Sequence, residues 1–315
     1  MIRPAPLAVA AFAVLAVAAL ALSAGQPRFE IDAATTRPCL GRPLALNASL
    51  LYWNFLPLGG ADRWKVDDPA IATVAPDGTL TPRHVGRVTV TASAGKRVAK
   101  ATFDTCGLEA AGGTYRRAGK AAMNTLVGYR FGSSESSSEY AIFEWRLNGP
   151  RGWNGGRTYT REGLPNVEAV PVDLAPIAGN YTLAVTDLAG QEYRANFEID
   201  PRQVLPAPEF TRLDTPDENT IDLAWRPVPG AAVYWPMAQG TDGEFISSEI
   251  LGGRQVDGFI LDPRARLSGE FNFKPGGREA VSVFVVAYSA SLQPPLPAQL
   301  NASQQVGTLR AVRAD

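Results

Sequence analysis

Residues 63–93 read RWKVDDPAIATVAPDGTLTPRHVGRVTVTAS, a stretch suited to antiparallel sheet and little else. Apolar and polar residues alternate around Ile71 to Val74, a Pro-Asp-Gly turn follows, and alternation resumes from Val85 to Ala92. Ile71, Thr73 and Ala75 fall on one face of the first strand and Ala72 and Val74 on the other. Asp77-Gly78 supplies the positive φ angles of a tight hairpin. The 30 glycines and 25 prolines keep turns plentiful along the chain, and long amphipathic helices are hard to find. An all-β fold is expected. With 45% hydrophobic residues there is enough apolar material for real cores.

The residues Trp64, Asp68-Pro69, Ile71-Ala72-Thr73-Val74, Asp77-Gly78, Leu80-Thr81, Gly86 and the closing Val88, Val90 and Ala92 together resemble the signature of the bacterial immunoglobulin-like group 2 family. That family occurs in surface proteins such as intimin-type adhesins and in modular extracellular enzymes. The resemblance covers about a quarter of the chain, a length suited to one sandwich of about 100 residues or less. Lys65-Val66 departs from the pattern, since the family commonly has small hydroxyl residues after the Trp.

The chain begins with Arg3 ahead of an apolar run, Leu7 to Leu22, and small residues follow at Ala21, Ser23, Ala24 and Gly25. This is the pattern of an export signal. Cleavage after Ser23, Ala24 or Gly25 fits equally, and a run of this length also fits a retained membrane anchor. The expected organisation is a signal peptide at 1–25, a group 2 domain at 26–106, an immunoglobulin-like sandwich at 107–203 and a fibronectin type III-like sandwich at 204–315. A length of 315 residues accommodates three such small modules.

Within the first module Leu44, Leu46, Ala48 and Leu50 alternate as a buried strand, and the apolar run 51–58, LYWNFLPL, reads either as strand plus loop or as an exposed adhesive patch. In the second, Tyr181 to Val185 and Tyr193 to Ile199 form a hairpin around Asp187 to Gly190. The runs GSSESSSE (132–139) and GPRGWNGG (149–156) read as loops, the former as a mobile hairpin tip between strands Leu126 to Phe131 and Tyr140 to Leu147. Leu205-Pro206-Ala207-Pro208 reads as a semi-extended hinge. The third module resembles the fibronectin type III family through Ile221, Leu223 and Trp225, the turn Pro229-Gly230-Ala231, Tyr234, and Val283, Val285 and Ala287. That family usually carries a corner Tyr where this chain has Val281. Residues 299–312 are expected to add a last edge strand.

Catalytic signals are scarce. The only histidine is His84, in the turn region before the closing strand of the first module, and no Ser-His-acid motif, Walker loop or GxGxxG accompanies it. One His and two distant Cys do not make a zinc site, so no metal and no cofactor are expected. Asp62, Asp67 and Asp68 read as turn formers in a solvated loop, with a calcium site as the alternative. Cys39 and Cys106 follow an export signal and are even in number, so they are expected to form one disulfide closing the first domain; two unpaired thiols is the other reading.

A formal net charge of −1 argues against a general nucleic-acid binder. Trp64, Trp145 and Trp225 lie in alternating strands and read as core. Trp153 in its Gly-rich loop and Trp235, aimed outward beside an inward Tyr234, read as candidate ligand-binding aromatics. The function expected is that of an exported, non-catalytic surface or envelope component acting in binding, adhesion or spacing, with an extracellular protein or polysaccharide as partner. The alternatives are a carbohydrate-binding accessory protein and an extracellular enzyme with an unrecognised site.

Overall fold

The computed structural model describes residues 28–52, 56–240, 244–246, 248–256, 259–271 and 280–310. The export signal expected at 1–25 and the side chains of the apolar run 51–58 lie outside the described residues. The chain divides into two compact units, the first ending at Cys106 and the second beginning at Gly107.

The first unit contains β1 (Arg28–Ala33), β2 (Leu44–Tyr52), β3 (Leu56–Gly60), β4 (Arg63–Val66), β5 (Ala72–Val74), β6 (Thr79–Pro82), β7 (Arg87–Ala94) and β8 (Arg97–Asp104). One sheet runs β1-β2-β6-β5, with β3 also on β2, and the other runs β4-β7-β8. Lettering the strands of the two four- and three-stranded paths in chain order gives A-B-E-D facing C-F-G, the arrangement of an immunoglobulin sandwich. Leu46, Ile71, Ala72, Leu80, Val88, Val90 and Phe103 fill the space between the sheets. The Asp77-Gly78 turn forms as expected. Gly78 has φ +87°, the Asp77 carboxylate accepts from the Thr79 N–H at 2.9 Å, and a Cβ at Gly78 would meet the Leu46 carbonyl at 2.7 Å and the Trp64 ring at 3.0 Å. Glycine is therefore required twice there, for φ and for space. Lys65 and Val66 simply continue β4, paired with Thr91 and Val90.

Cys39 and Cys106 form the expected disulfide, with Cα atoms 4.3 Å apart. The chain segments around them pair as a parallel bridge, Leu40 N–H to the Cys106 carbonyl and Cys106 N–H to the Pro38 carbonyl, each at 2.9 Å.

The second unit holds two more sandwiches. The first of them is built from β9 (Gly107–Arg116), β10 (Met123–Gly132), β11 (Ile142–Asn148), β12 (Tyr159–Glu162), β13 (Val167–Val172), β14 (Gly179–Asp187) and β15 (Glu192–Ile199). Here β13-β10-β9 faces β12-β11-β14-β15 across a core containing Tyr129, Trp145, Tyr181, Leu183 and Ile199. Because β10 and β11 lie in different sheets, the Ser-rich run is a crossover between layers and not a hairpin tip. It is also tied down: the Ser133 hydroxyl donates to buried Asp187 at 2.9 Å, and the Asn166 side chain donates to the Ser138 carbonyl at 2.6 Å. The Tyr181 hydroxyl bonds both the carbonyl and the N–H of Ile177, at 2.9 and 3.0 Å. This is the tyrosine corner of such sandwiches, present here and replaced by buried Val281 in the third.

The third sandwich comprises β16 (Phe210–Asp217), β17 (Thr220–Trp225), β18 (Val233–Gly240), β19 (Phe245–Ile246), β20 (Ser248–Leu251), β21 (Gln255–Val256), β22 (Phe259–Ile260), β23 (Arg264–Gly269), β24 (Ala280–Tyr288) and β25 (Ala302–Arg310). The sheet β16-β17-β23-β20 covers β25-β24-β18, again A-B-E-D over G-F-C. Trp225, Tyr234, Val283, Val285 and Ala287 are buried together, as the fibronectin-like pattern implied. The Pro-rich segment before β16 lacks regular structure, but Leu205 is buried in this core and the Pro206 carbonyl accepts from Ser303 at 2.5 Å.

The expected edge strand at the C-terminus is instead interior. β25 pairs with β24 along nine residues and, on its other side, runs parallel to β9 through Ala302–Tyr115 and Ser303–Arg116. Two strands that would each be a sheet edge cover one another, giving a continuous sheet β13-β10-β9-β25-β24-β18-β22-β21. The junction is held by buried Asn301, whose side-chain oxygen accepts from the Thr114 N–H at 3.0 Å and lies 3.1 Å from the Thr114 hydroxyl. Leu300 N–H donates to the Gly112 carbonyl at 2.9 Å.

Two outcomes are expected. Replacing Cys39 and Cys106 by Ser should lower the stability of the first unit by about 4 kcal/mol, the chain-entropy value for a loop this long, in denaturant titrations of oxidised protein; an unchanged midpoint would refute the tie. Asn301→Ala leaves the buried Thr114 N–H without its acceptor and should cost about 1–3 kcal/mol in the transition of the second unit, whereas an unaltered transition would show that the junction does not depend on it.

Candidate functional site

The two tryptophans singled out in the sequence have opposite fates. Trp153, expected in an exposed loop, is only 2% exposed and belongs to the core of the second sandwich. A short 3-10 turn over Trp153–Gly156 carries it inward, with Gly152 at φ 92° and Asn154 at φ 48°. Its ring lies over Gly149, where a Cβ would sit 2.6 Å from the indole, and meets Tyr181 edge-on at 5.4 Å. The expectation of a surface tryptophan is corrected: the glycines of GPRGWNGG make room for burial. Trp235 is 39% exposed, as the alternation of β18 implied.

The remaining candidates have structural positions. His84 is half-buried, and its loop is pinned through the backbone, since the Thr105 hydroxyl reaches the His84 carbonyl at 2.6 Å and accepts from the Gly86 N–H at 2.7 Å. Asp62, Asp67 and Asp68 each accept backbone N–H groups, from Gly95, from Thr89 and Asp68, and from Ala70 respectively. Those bonds hold the Asp67 carboxyl below its ordinary range against the opposing effect of burial. No group of three or more potential metal-ligating side chains occurs among the described residues.

Trp235 lines a groove of about 390 Å³ on the outer face of the continuous sheet. It is joined there by Phe259 from β22, Tyr288 at the end of β24, Leu292 just beyond it, and Arg130 and Val167 from β10 and β13. The register explains the aromatic cluster. Trp235 stands opposite Val286 and Val233 opposite Tyr288, so Trp235 and Tyr288 share one face at a diagonal, and Tyr234–Ile260 pairing brings Phe259 beside Trp235. Phe259 and Tyr288 meet edge-on at 5.6 Å. Arg130 donates to the Leu292 carbonyl at 2.8 Å, which fastens the segment after β24 to the opposite wall.

Electrostatics keep the groove mostly neutral. Burial, with help from the nearby Tyr115 and Glu168, drives the Tyr288 phenol well above the usual tyrosine range, so it stays protonated. Burial likewise raises the Glu168 carboxyl, offset in part by Arg161 and by its hydrogen bond to Tyr129. The Tyr288 hydroxyl makes no hydrogen bond among the described residues. A buried phenol with an unspent donor, beside an exposed indole, suits a ligand that presents a flat apolar face with a polar rim. The sequence pointed to Trp235 through strand alternation; Phe259 and Tyr288 were missed because the groove joins strands far apart in the chain.

No protein-family model matches the chain, and no curated protein matches it. Among solved structures, domains 5–6 of the S-layer protein SbsC are similar at 14% identity and TM-score 0.22, over 56% of this chain and 100% of that one. The FN1–FN3 domains of chicken CNTN1 show 11% identity and TM-score 0.23 over 91% and 99% of the two chains, and domains A168–A170 of titin show 10% and 0.22 over 90% and 98%. At such TM-scores the likenesses carry no argument about function; the assignment to immunoglobulin- and fibronectin-like sandwiches rests on the strand order, the tyrosine corner and the core Trp.

Trp153→Ala should destabilise the second unit by about 3–5 kcal/mol, the range for deleting a buried Trp, while Trp235→Ala should cost far less. Equal losses in paired melting experiments would contradict the burial described for the two rings.

Proposed function

We propose that this chain is an exported, non-catalytic modular component of a bacterial surface or envelope, acting in binding, adhesion or spacing, and that its partner contact is the Trp235 groove. The observation that carries the reading is the groove itself, with an exposed indole flanked by Phe259 and by the unspent hydroxyl of Tyr288. Among the described residues its lining contains one carboxylate residue, Glu168, and no histidine, which does not resemble a paired-carboxylate or triad site. Export is supported by the apolar run 7–22 and by the Cys39–Cys106 disulfide, a bond that persists in oxidising compartments. The group 2 assignment of the first module draws further support from its Asp-Gly hairpin and the buried Val88, Val90 and Ala92.

The carbohydrate-binding reading is favoured over a purely structural spacer by one feature. A pyranose ring matches a groove of about 390 Å³ with an indole wall and a phenol donor, since sugars present an apolar face and a polar edge. With Trp153 buried, stacking falls to Trp235 alone.

A glycan array probed with the wild-type chain, followed by titration of the best saccharide, tests this. Trp235→Ala should weaken binding by about tenfold or more, the loss typical of a central aromatic anchor. Saccharide binding unaffected by the substitution, or none on the array, would defeat the carbohydrate reading.

A further inference from the structure

The outer face of the sheet β16-β17-β23-β20 carries a charge ladder whose rows can be read from the register. In one row Asp214, Asp222, Arg266 and Leu251 lie side by side on four successive strands. In the adjacent row the residues are Arg212, Ala224 and Arg264. Alternate positions such as Leu213, Leu223 and Ala265 turn the other way, into the core.

The first row is internally satisfied. Arg266 grips Asp222 with two bonds, at 2.5 and 2.9 Å, and Arg212 leans across from its own row to reach Asp214 at 2.7 Å and Asp222 at 3.2 Å. The Arg266 bonds, aided by Arg212, hold the Asp222 carboxyl below its ordinary range. The second row has the same cations without the anion. Ala224 stands where its neighbour row has a carboxylate, and two guanidinium-bearing strands flank it about 10 Å apart. Arg264 makes no hydrogen bond or close ion pair among the described residues; the acid nearest in sequence, Asp262, feels its charge but is bonded by Arg254 at 3.0 Å. Over this gap lies an open pocket of about 460 Å³, bordered by Gly252 and Gly253, whose lack of side chains leaves one side clear.

We propose that this pocket binds a carboxylate of an external ligand, the uronate group of an acidic polysaccharide, which takes above Ala224 the place that Asp222 takes in the next row. The planar fork of Arg264 presents two parallel N–H donors that match a carboxylate. Arg212 sits on the far side of the gap as the second cation, and Asp222 and Asp214 fix its position. Asp217 also acts on Arg266 and Asp262 on Arg264, so what the gap offers a carboxylate is the unbonded guanidinium of Arg264 on the strand beside Ala224, not a surplus of net positive charge. The site is on a different sheet from the Trp235 groove and does not depend on it.

The experiment measures retention of the full chain on polygalacturonate, with neutral dextran and dextran sulfate as comparison polymers. The wild type should bind polygalacturonate, not neutral dextran, and lose binding as salt rises. Arg264→Gln should weaken binding about tenfold, the range for a hydrogen bond to a charged group. Ala224→Asp should abolish it by supplying the missing carboxylate from within, at an outward position that leaves the core untouched, and Trp235→Ala should leave it unchanged. Absence of polygalacturonate binding, equal binding by all variants, or retention on dextran sulfate alone would overturn the assignment.

Discussion

The architecture of the second unit depends on the meeting of β9 and β25. Only two residue pairs join these strands, which by themselves could not hold two sandwiches in register. What secures them is a buried polar clip: Asn301 accepts from the Thr114 N–H and from the Gln299 side chain at 3.1 Å, and the Thr114 hydroxyl, 3.1 Å from the same Asn301 oxygen, gives its proton to the nearer Gln203 carbonyl at 2.7 Å. Away from water, each of these groups would be costly to leave unpaired, so the clip closes as a set or not at all.

Two consecutive glycines make that meeting sterically feasible. Gly112 points one way, against the ring of Phe197 and the side chain of Ile199; Gly113 points the other way, against the Leu300 backbone. A side chain at either would push a layer off β9. The strand is thus thin enough to lie between two layers, and Leu300 and Leu292 can fill the space over Gly128 on the outer face. The Trp235 groove follows from this continuity, since its walls come from β10 and β13 on one side and from β18, β22 and β24 on the other.

Much of this was legible in local pattern. Alternation placed Val88, Val90 and Ala92 inside, Trp225 and Tyr234 in one core, and Trp235 on the surface, because a strand's two faces are set by parity alone. What parity cannot register is a contact between residues far apart in the chain. The pairing of β25 with β9 brings Thr114 to Asn301, and nothing near either residue announces it, although Gly112-Gly113 inside a strand was a local sign of close backbone approach. Trp153 was misjudged for a related reason. A loop has no period to read, and the glycines that suggested exposure are the residues that let the ring fold under. The Arg212–Ala224–Arg264 row was equally hidden, since each member belongs to a different strand.

The position of the disulfide has a mechanical consequence for the first unit. Tension applied between Arg28 and Gly107 runs through β1 and then crosses from Cys39 to Cys106 by the covalent bond, bypassing residues 40–105. Only the eleven residues 28–38 lie in the loaded path ahead of the bond, so peeling β1 away releases about 40 Å of contour, against about 270 Å if the whole unit could unravel. Under load the module acts as a short tether with a fixed stop.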